Sequence, residues 1–411
     1  MRRPFLILLL GAAASLSAVT ASGAERGQPG ATLESVVAFA KRLSPELRAS
    51  ILEADAASQR VGAAGVQPDP TVTLQAWDVN GKGVGQTWIG AEQTFKLWGK
   101  TDLEKGIAHA DADAARRQSE ATEVEVVARV KSAYAQYSAA QRALELSKSL
   151  KQRVDQLLEL LRLRYGASSV DQQEVIKAEL EAANAAADVA RREGEAKSAG
   201  ARLNALIGRE ARAPLAPAKG FPALKTKLSL AGVQELARSS NPQLAATHAQ
   251  VRSATGAKAL TDLNYYPDIT FGANLVERRN GETSGMFLLG FKVPLQYEAK
   301  DAEQRAASAS LGAAQARNDA LRIRLDGEVA EAWYRLEAIR KAIKIFEQMQ
   351  LPPAKLSVDT ARSGFDAGTT PLATLLETER RLRAVELELL ALRVEEQSKY
   401  ADLERLAGGA L

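Results

Sequence analysis

The second half of the chain repeats the first. Residues 33–74 align with residues 230–271 at a constant separation of 197 residues, so that Pro45 falls on Pro242. After that segment the separation becomes 200 residues, and the alignment requires one length change, of three residues, inside a short extended segment. Insertions are tolerated at exposed loop tips. The duplication predicts two copies of one structural unit, each with an exposed turn.

Each repeat contains one predicted β-hairpin. The first hairpin spans residues 70–97 and the second spans residues 267–295, with Asn-Gly pairs at 80–81 and 280–281. An Asn-Gly pair between two extended runs predicts a type I′ turn, in which both central residues adopt a positive φ. The length change between the repeats lies at these turns, which we therefore expect to point into solvent.

Alternation of residue types gives the second hairpin one apolar face, and the first hairpin alternates less cleanly. Strands of about ten residues with this pattern fit tilted strands that cross a bilayer. A soluble four-stranded sheet beneath a layer of helices fits the same pattern, and the strands alone leave both alternatives open. The apolar face of the second hairpin comprises Ile269, Phe271, Ala273, Leu275, Phe287, Leu289, Phe291 and Val293.

Long helices follow each hairpin. No proline occurs from Lys100 to Tyr165, and a helix of that length is about 100 Å long. Apolar residues there recur at steps of three and four, which predicts coiled-coil packing. We expect antiparallel helical hairpins over residues 100–208 and 300–408, with an interruption and a lateral bulge in the second at Pro352–Pro353, because proline cannot continue the helical hydrogen-bond pattern.

The termini and the composition set further limits. Residues 1–24 are typical of a secretory signal peptide, with cleavage expected after Ala21 or Ala24. We place the first structural repeat at 25–215, a linker at 216–227 and the second repeat at 228–411. The chain has no cysteine, so neither disulfides nor a lipid anchor on cysteine are expected, and a net charge of +4 does not indicate a nucleic-acid partner.

Four strands per chain constrain the assembly. Each repeat is predicted as helix, strand, strand, long helix, tight turn and long helix, so the strands lie at one end of the rod. Four strands cannot close a barrel around a lumen, and open strand edges are not tolerated in lipid. If the hairpins cross a membrane, several chains must therefore share one barrel.

The chain resembles the TolC-like outer membrane efflux protein family over nearly all of the sequence beyond the signal peptide. The resemblance rests on "SPELRAS" with "NPQLAAT", "PDPTVTL" with "YPDITFG", "LWGK", "RYGASSVDQQEVIKAELEAA", "GFDAGTTPLATLLE", and the closing "LNALIG" with "LERLAG". Each of these motifs is weak alone, but their duplicated order is specific. The "LWGK" and "PDPTVTL" segments are most similar to the branch that serves heavy-metal pumps of the resistance-nodulation-division (RND) type.

This resemblance implies a mainly α fold with a membrane β-barrel: a homotrimer with one 12-stranded barrel in the outer membrane and a long α-helical barrel across the periplasm. It implies docking on a periplasmic adaptor (membrane fusion protein) and an inner-membrane RND pump. The expected function is a passive exit duct, with heavy-metal cations as the expected substrate. Drug-efflux and type I secretion ducts share the scaffold, and a periplasmic coiled-coil adaptor or scaffold that forms no channel is the rival reading.

The resemblance also assigns roles at the turns between the long helices. These turns form the periplasmic aperture and the adaptor contact, and the second tip has the family's Ala-Gly-Thr whereas the first lacks the glycine. The geometry of the first tip is therefore left open, and Gly368 has the additional structural role of permitting a left-handed turn. The tip residues are Ala167, Ser168, Ser169, Ala367, Gly368 and Thr369.

Just inside the aperture the family often has aspartates that attract cations and tether the closed state. The matching positions here are Glu174, Thr374 and Glu377. Three-fold repetition would convert each glutamate into a ring, which favours cations. The alternative is that each glutamate is a solvated surface charge on its helix.

Catalytic and metal-binding chemistry finds little support in the sequence. His109 and His248 fall on different predicted helices without a ligand at i+3 or i+4, and soft ligands are scarce, with no cysteine and three methionines. There is no phosphate-binding loop and no Gly-x-Ser-x-Gly motif. We expect no enzyme activity, no cofactor and no specific metal site.

Overall fold

The computed structural model describes residues 28–79, 81, 83–225 and 229–411. The predicted signal peptide and Asn80 of the first turn lie outside the described residues. Helices account for most of the described chain, and in this part none is long and apolar enough to cross a membrane.

The same order of elements occurs twice. The first repeat comprises α1 (Leu33–Leu43), α2 (Pro45–Ala63), β1 (Thr71–Trp77), β2 (Gln86–Phe95), α3 (Lys100–Gly166) and α4 (Gln172–Leu206). The second comprises α5 (Leu230–Ser240), α6 (Pro242–Asp262), β3 (Ile269–Arg278), β4 (Thr283–Phe291), α7 (Tyr297–Ile345), a π-helical turn (Phe346–Gln350), α8 (Leu351–Asp366) and α9 (Leu372–Ala407). A 3₁₀ turn at Leu263–Tyr265 follows α6.

Matching caps start the second helix of each repeat. The Ser44 hydroxyl accepts a hydrogen bond from the backbone N–H of Leu47 at 3.4 Å, and Asn241 Oδ1 accepts one from Leu244 at 3.0 Å. A proline occupies the first helical position in both cases, where its missing N–H costs nothing. Ser and Asn satisfy N–H groups that have no partner within the helix, so the duplication preserves the local chemistry of this corner.

The four strands form one antiparallel sheet in the order β1-β2-β3-β4. The central β2–β3 pair joins the two repeats, with Ala91 opposite Ala273 and Ile89 opposite Leu275. In the second hairpin Phe271 lies opposite Leu289. Within this sheet, strands β1 and β4 each have one edge that pairs with no other described strand.

The register places apolar residues of both hairpins on one face. Because side chains alternate along a strand, opposite residues share a face. This face is exposed in the single chain: Leu74 is 72% exposed and Phe287 is 89% exposed. The opposite face carries mainly polar and small residues, including Thr73, Thr270 and Asn274. The predicted alternation of the second hairpin is confirmed, and the first hairpin contributes Val72, Leu74 and Ile89 to the same apolar face.

The turn of the second hairpin differs from the predicted type I′ turn. Of the Asn280–Gly281 pair only Gly281 has a positive φ, of 80°. The Gly281 N–H donates to the Arg278 carbonyl at 2.9 Å, and the Arg278 N–H donates to the Glu282 carbonyl at 3.0 Å. This is the three-residue loop in which a type I turn is followed by a left-handed glycine. One added loop residue removes the need for a positive φ at Asn280.

Each repeat has its own apolar core where the short helices pack on the long ones. In the first repeat, Val36 and Ala40 of α1 pack against α3 and α4, with Tyr134 almost fully buried. The Tyr134 hydroxyl donates to the Ala31 carbonyl at 3.0 Å, and that of Tyr137 donates to Ala216 at 3.1 Å. These bonds hold the segments before α1 and after α4 against α3.

The π-helical turn corrects the alignment of the long helices. Core residues Val130 and Val329 are 199 residues apart, whereas Leu161 and Ala361, beyond the turn, are 200 apart. The second repeat therefore has one extra residue here, and the expectation of a single length change was wrong. The predicted pairing of Tyr134 with Tyr334 was also wrong: Tyr334 is 59% exposed, and Trp333 packs against the core.

An inserted residue widens one helical turn into a π-bulge. The backbone N–H of Leu351 donates to the carbonyl of Phe346, five residues earlier. Pro352 and Pro353 follow at once, in the first turn of α8, where they need no backbone donor. The predicted interruption thus takes the form of a π turn inside a continuous rod.

Candidate functional site at the helical tips

The two helical tips have the same backbone geometry. At the first tip Ser168 has φ 57°, and at the second Gly368 has φ 76°. The N–H of Ser168 donates to Tyr165 and that of Ser169 to Arg164, both at 2.8 Å. Gly368 donates to Phe365 at 3.1 Å and Thr369 to Gly364 at 2.8 Å. Both tips are Schellman motifs, so the missing glycine does not change the first tip.

Serine at a left-handed position carries a steric cost that glycine does not. Ser168 is one of three described non-glycine residues with a positive φ. Backbone strain of this kind persists where the surrounding structure over-determines the conformation. Here the two capping hydrogen bonds and the return of α4 along α3 impose it.

The predicted gate residues lie in the first two turns of the return helices. Glu174 is half-buried in α4, and Thr374 and Glu377 are exposed on α9. Among the described residues, neither glutamate lies within ion-pairing distance of a cation. The closest charge relation is electrostatic, between Glu377 and Arg380. The structure thus leaves both carboxylates near the tips and open to solvent on at least one side.

A shared apolar core holds the two tips side by side. Leu161 of α3 and Ala178 of α4 are fully buried in a cluster with Phe365 of α8 and Leu372 of α9. Side chains from both repeats fill it, so the first and second helical hairpins are packed against each other here. The relative position of the two tips is therefore fixed by apolar contacts.

Above this core, three ion pairs link the two repeats. Arg380 of α9 forms a forked pair with Glu181 of α4, with Nε 3.0 Å from Oε1. Arg383 of α9 contacts Asp188 of α4. Arg153 Nη2 of α3 lies 3.1 Å from Glu379 Oε2 of α9. All three carboxylate side chains are about nine-tenths buried. We call these three pairs the inter-repeat ladder.

The ladder shifts the pKa of its members. Burial raises the pKa of the Asp188 carboxyl, but hydrogen bonds from Ser147 and Arg191 and the nearby charge of Arg383 outweigh it, so the pKa lies below its ordinary value. The hydrogen bond from Glu181 raises the pKa of Arg380 against the effect of burial, and Glu377 adds to the rise. Both shifts favour the charged forms that the ladder needs.

The two histidines lie away from the tips. His248 Nδ1 is 3.1 Å from the amide nitrogen of Asn318, and His109 lies on the exposed side of α3. Within the described ranges, no group of three or more His, Asp and Glu side chains is arranged to hold a metal ion.

Sequence reasoning missed the ladder and Lys177. Ladder partners are separated by about 200 residues, and a charged residue on a helix gives no sign of a distant partner. A comparison of the repeats carried a signal, however: at the separation of 200, Arg380 falls on Leu180 and Glu377 falls on Lys177. Differences between duplicated positions mark places where the repeats do different work.

Comparison with known proteins identifies the family. The family model described as "Outer membrane efflux protein" matches residues 38–209 and 233–409, which include both hairpins, both tips and the ladder. The chain belongs to the outer membrane efflux protein family. This confirms the resemblance drawn from the duplicated motifs.

Relatives of this efflux protein agree with that assignment. The cobalt-zinc-cadmium resistance protein CzcC of Cupriavidus metallidurans is 23% identical over 380 residues, covering 92% of this chain and 90% of CzcC. A crystal structure of CusC has a TM-score of 0.79 at 16% identity, with 92% of each chain covered. The outer-membrane channel OprN has a TM-score of 0.80 at 19% identity and covers 99% of this chain and 98% of its own.

A third solved structure is the outer membrane protein VceC from Vibrio cholerae. It has a TM-score of 0.77 at 18% identity, covering 92% of this chain and 96% of VceC. Identities at this level show a shared fold, in which long helices carry a small antiparallel sheet at one end. The fold class is therefore that of the outer membrane channels.

Proposed function

We propose that this efflux protein is the outer-membrane exit duct of a tripartite efflux system, passively conducting substrate out of the cell. The observation that carries the proposal is the sheet: one face is apolar and exposed over all four strands, and the outer edges of β1 and β4 have no described partner. An exposed apolar face needs lipid or protein against it, and an open edge cannot remain in lipid.

Three copies of the chain satisfy both demands. Joining β4 of one copy to β1 of the next closes a barrel of twelve strands, with the apolar face toward lipid and the polar face toward water. Family membership supports this homotrimer over a periplasmic coiled-coil scaffold that forms no channel. The 67 residues of α3 span about 100 Å, a length that suits a duct through the periplasm.

The helical tips are the proposed periplasmic end of the duct. We assign the adaptor contact to both tips and the aperture gate to the turns just above them, where three copies make rings. Their shared Schellman geometry supports equivalent use of the two tips. The tip residues are Ala167, Ser168, Ser169, Ala367, Gly368 and Thr369, and the gate residues are Glu174, Thr374 and Glu377.

Heavy-metal cations are the proposed substrate, with an RND pump and a periplasmic adaptor as partners. The support is the similarity to CzcC, whose name describes cobalt, zinc and cadmium resistance. A drug-efflux or type I secretion duct on the same scaffold is the alternative, since the solved structures share the fold at 20% identity or less. A strain that lacks this protein should become sensitive to divalent metals and regain resistance on complementation; sensitivity to antibiotics and dyes alone would favour the drug-efflux alternative.

Two neighbouring residues on opposite faces of β4 test the duct itself. Phe287→Arg places a charge on the proposed lipid face, at a cost of about 2–4 kcal/mol per chain near the bilayer centre. Met286→Arg, on the proposed water face, is the matched control. We expect a heat-sensitive trimer band in outer-membrane extracts of the wild type and of Met286→Arg, and its loss in Phe287→Arg. A soluble periplasmic monomer in all three proteins would contradict the proposal.

A further inference from the structure

Lys177 and Glu377 occupy the same position in the two repeats. Lys177 lies in the second turn of α4 and Glu377 in the second turn of α9, 200 residues apart. Both side chains are exposed. In the part of the chain that the structure describes, neither forms an ion pair, although most charged residues on these helices do. The duplication therefore places opposite charges at equivalent sites beside the tips.

The two residues extend the faces that carry the inter-repeat ladder. Lys177 is four residues before Glu181, and Glu377 is three residues before Arg380, so each lies one turn nearer the tip on the same face of its helix. Glu181 and Arg380 face each other across the repeats with Nε 3.0 Å from Oε1. One turn lower the order of the charges is reversed, with the cation on α4 and the anion on α9.

In a trimer of a duplicated chain, α4 and α9 alternate around the axis. At the level of Glu174 and Thr374, each chain then contributes one negative charge. One turn further along, each chain contributes Lys177 and Glu377, which cancel. Glu377 by itself therefore cannot form a net negative ring, whatever the spacing of the helices.

We propose that Lys177 is a specificity-determining residue of the duct. Its ammonium offsets the carboxylate of Glu377, so that the half-buried Glu174 supplies the cation preference of the aperture. This inference rests on the proposed trimeric duct and deepens it. The aperture carries a negative ring at Glu174 and an alternating, neutral ring at Lys177 and Glu377, and the neutral ring limits how strongly a cation is held.

Single-channel recording of the purified protein in planar bilayers under a KCl gradient tests the charge pattern. Lys177→Gln should raise the ratio of K⁺ to Cl⁻ permeability by about twofold, the effect of a unit charge some 8 Å from the ion path in water. Glu377→Gln should lower the ratio by a similar factor. The double variant Lys177→Gln/Glu377→Gln should return close to the wild-type ratio, and Glu174→Gln should lower it.

Lys197→Gln is the matched control. Lys197 is an exposed lysine on the same helix, about 30 Å further from the tip, and its replacement should leave the ratio unchanged. A heat-sensitive trimer band confirms that each variant has assembled. Normal channels whose permeability ratio is the same with and without Lys177 would overturn this inference and leave the duct intact. A wild-type protein that forms no channel would overturn the proposed function and this inference together.

Discussion

The ammonium of Lys100 lies 2.9 Å from Oδ1 of Asp268 and joins the two repeats where the helices meet the sheet. Lys100 is the first residue of α3, and Asp268 directly precedes β3. Nζ also donates to the Tyr266 carbonyl at 2.9 Å, and the lysine side chain is only 9% exposed. The ring of Trp98 packs against Tyr266 at 5.3 Å between centroids. One buried cation thus sets how the first long helix leaves the sheet.

Removal of this cation should destabilise the protein. Lys100→Met keeps the length of the side chain but leaves a carboxylate and a carbonyl without their donor, which should cost about 2–3 kcal/mol. Lys300, at the start of α7, pairs only with Glu303 on its own helix, so Lys300→Met should cost no more than about 0.5 kcal/mol. Melting temperatures of both variants in the same detergent give the comparison; equal losses would contradict the special role of Lys100.

The tips predict opposite effects for two reciprocal substitutions. Ser168→Gly removes a left-handed serine and should stabilise the protein by about 0.5–1 kcal/mol, and Gly368→Ser should destabilise it by a similar amount. Both changes leave the capping hydrogen bonds in place, because these use backbone groups. Thermal unfolding of the two variants measures the difference. If both changes destabilise the protein, the Ser168 hydroxyl has a role that glycine cannot replace.

The π turn predicts where a residue can be deleted. Deletion of Gln348, in a background with Pro352→Ala and Pro353→Ala, should give a continuous α-helix with every core residue in place, because it removes the extra residue of the second repeat. Deletion of the exposed Glu331 in the same background should instead misplace the buried Leu336, Ile339 and Ile343, which lie between it and the π turn. Each displaced large apolar residue costs about 2–5 kcal/mol.

The readout of both deletions is the yield and melting temperature of the folded protein. We expect the first deletion to remain close to its background and the second to fail to accumulate. Equal tolerance of the two deletions would show that the π turn does not absorb an inserted residue.

Asp188 predicts a loss of stability in acid. Its folded-state pKa lies below the unfolded value of about 3.9, so its charged form favours the folded state. The stabilisation is present above that unfolded pKa and is lost as the pH falls through the folded pKa. Asp188→Asn should lower the melting temperature at pH 7 and flatten its decline below about pH 4. Glu195→Gln, at a half-exposed carboxylate of the same helix, should leave the decline unchanged.

Local patterns predicted much of this fold. The faces of the second hairpin follow from a two-residue alternation of large apolar with small or polar residues, and the signal is strong because Phe271, Leu275, Phe287 and Leu289 all obey it. The corners before α2 and α6 were equally clear, since each combines a capping residue with proline. These features depend on residues a few positions apart, where sequence patterns are most informative.

Features that depend on distant or subtle relations could not be predicted. The one-residue insertion at the π turn escaped notice because the Ala-rich helices offer few landmarks, and Tyr134 was aligned with Tyr334 where the structure uses Trp333. Ser168 adopts a left-handed conformation because the return of α4 demands it, against its own preference. The partnership of Arg380 with Glu181 arises only when the two repeats pack.

Cysteine cross-linking tests the trimeric barrel most directly, and the chain contains no cysteine of its own. If the junction between copies repeats the β2–β3 junction, where Ala91 faces Ala273, then Phe291 of one copy faces Ala76 of the next. Within one chain β1 and β4 are three strands apart, about 14 Å, too far for a disulfide. Oxidation of Ala76→Cys/Phe291→Cys in outer membranes should give dimers and trimers and nothing larger, while Val72→Cys/Phe291→Cys, out of register, should not cross-link. Monomer alone from the in-register pair, or a ladder that continues beyond trimer, would contradict the closed three-chain duct.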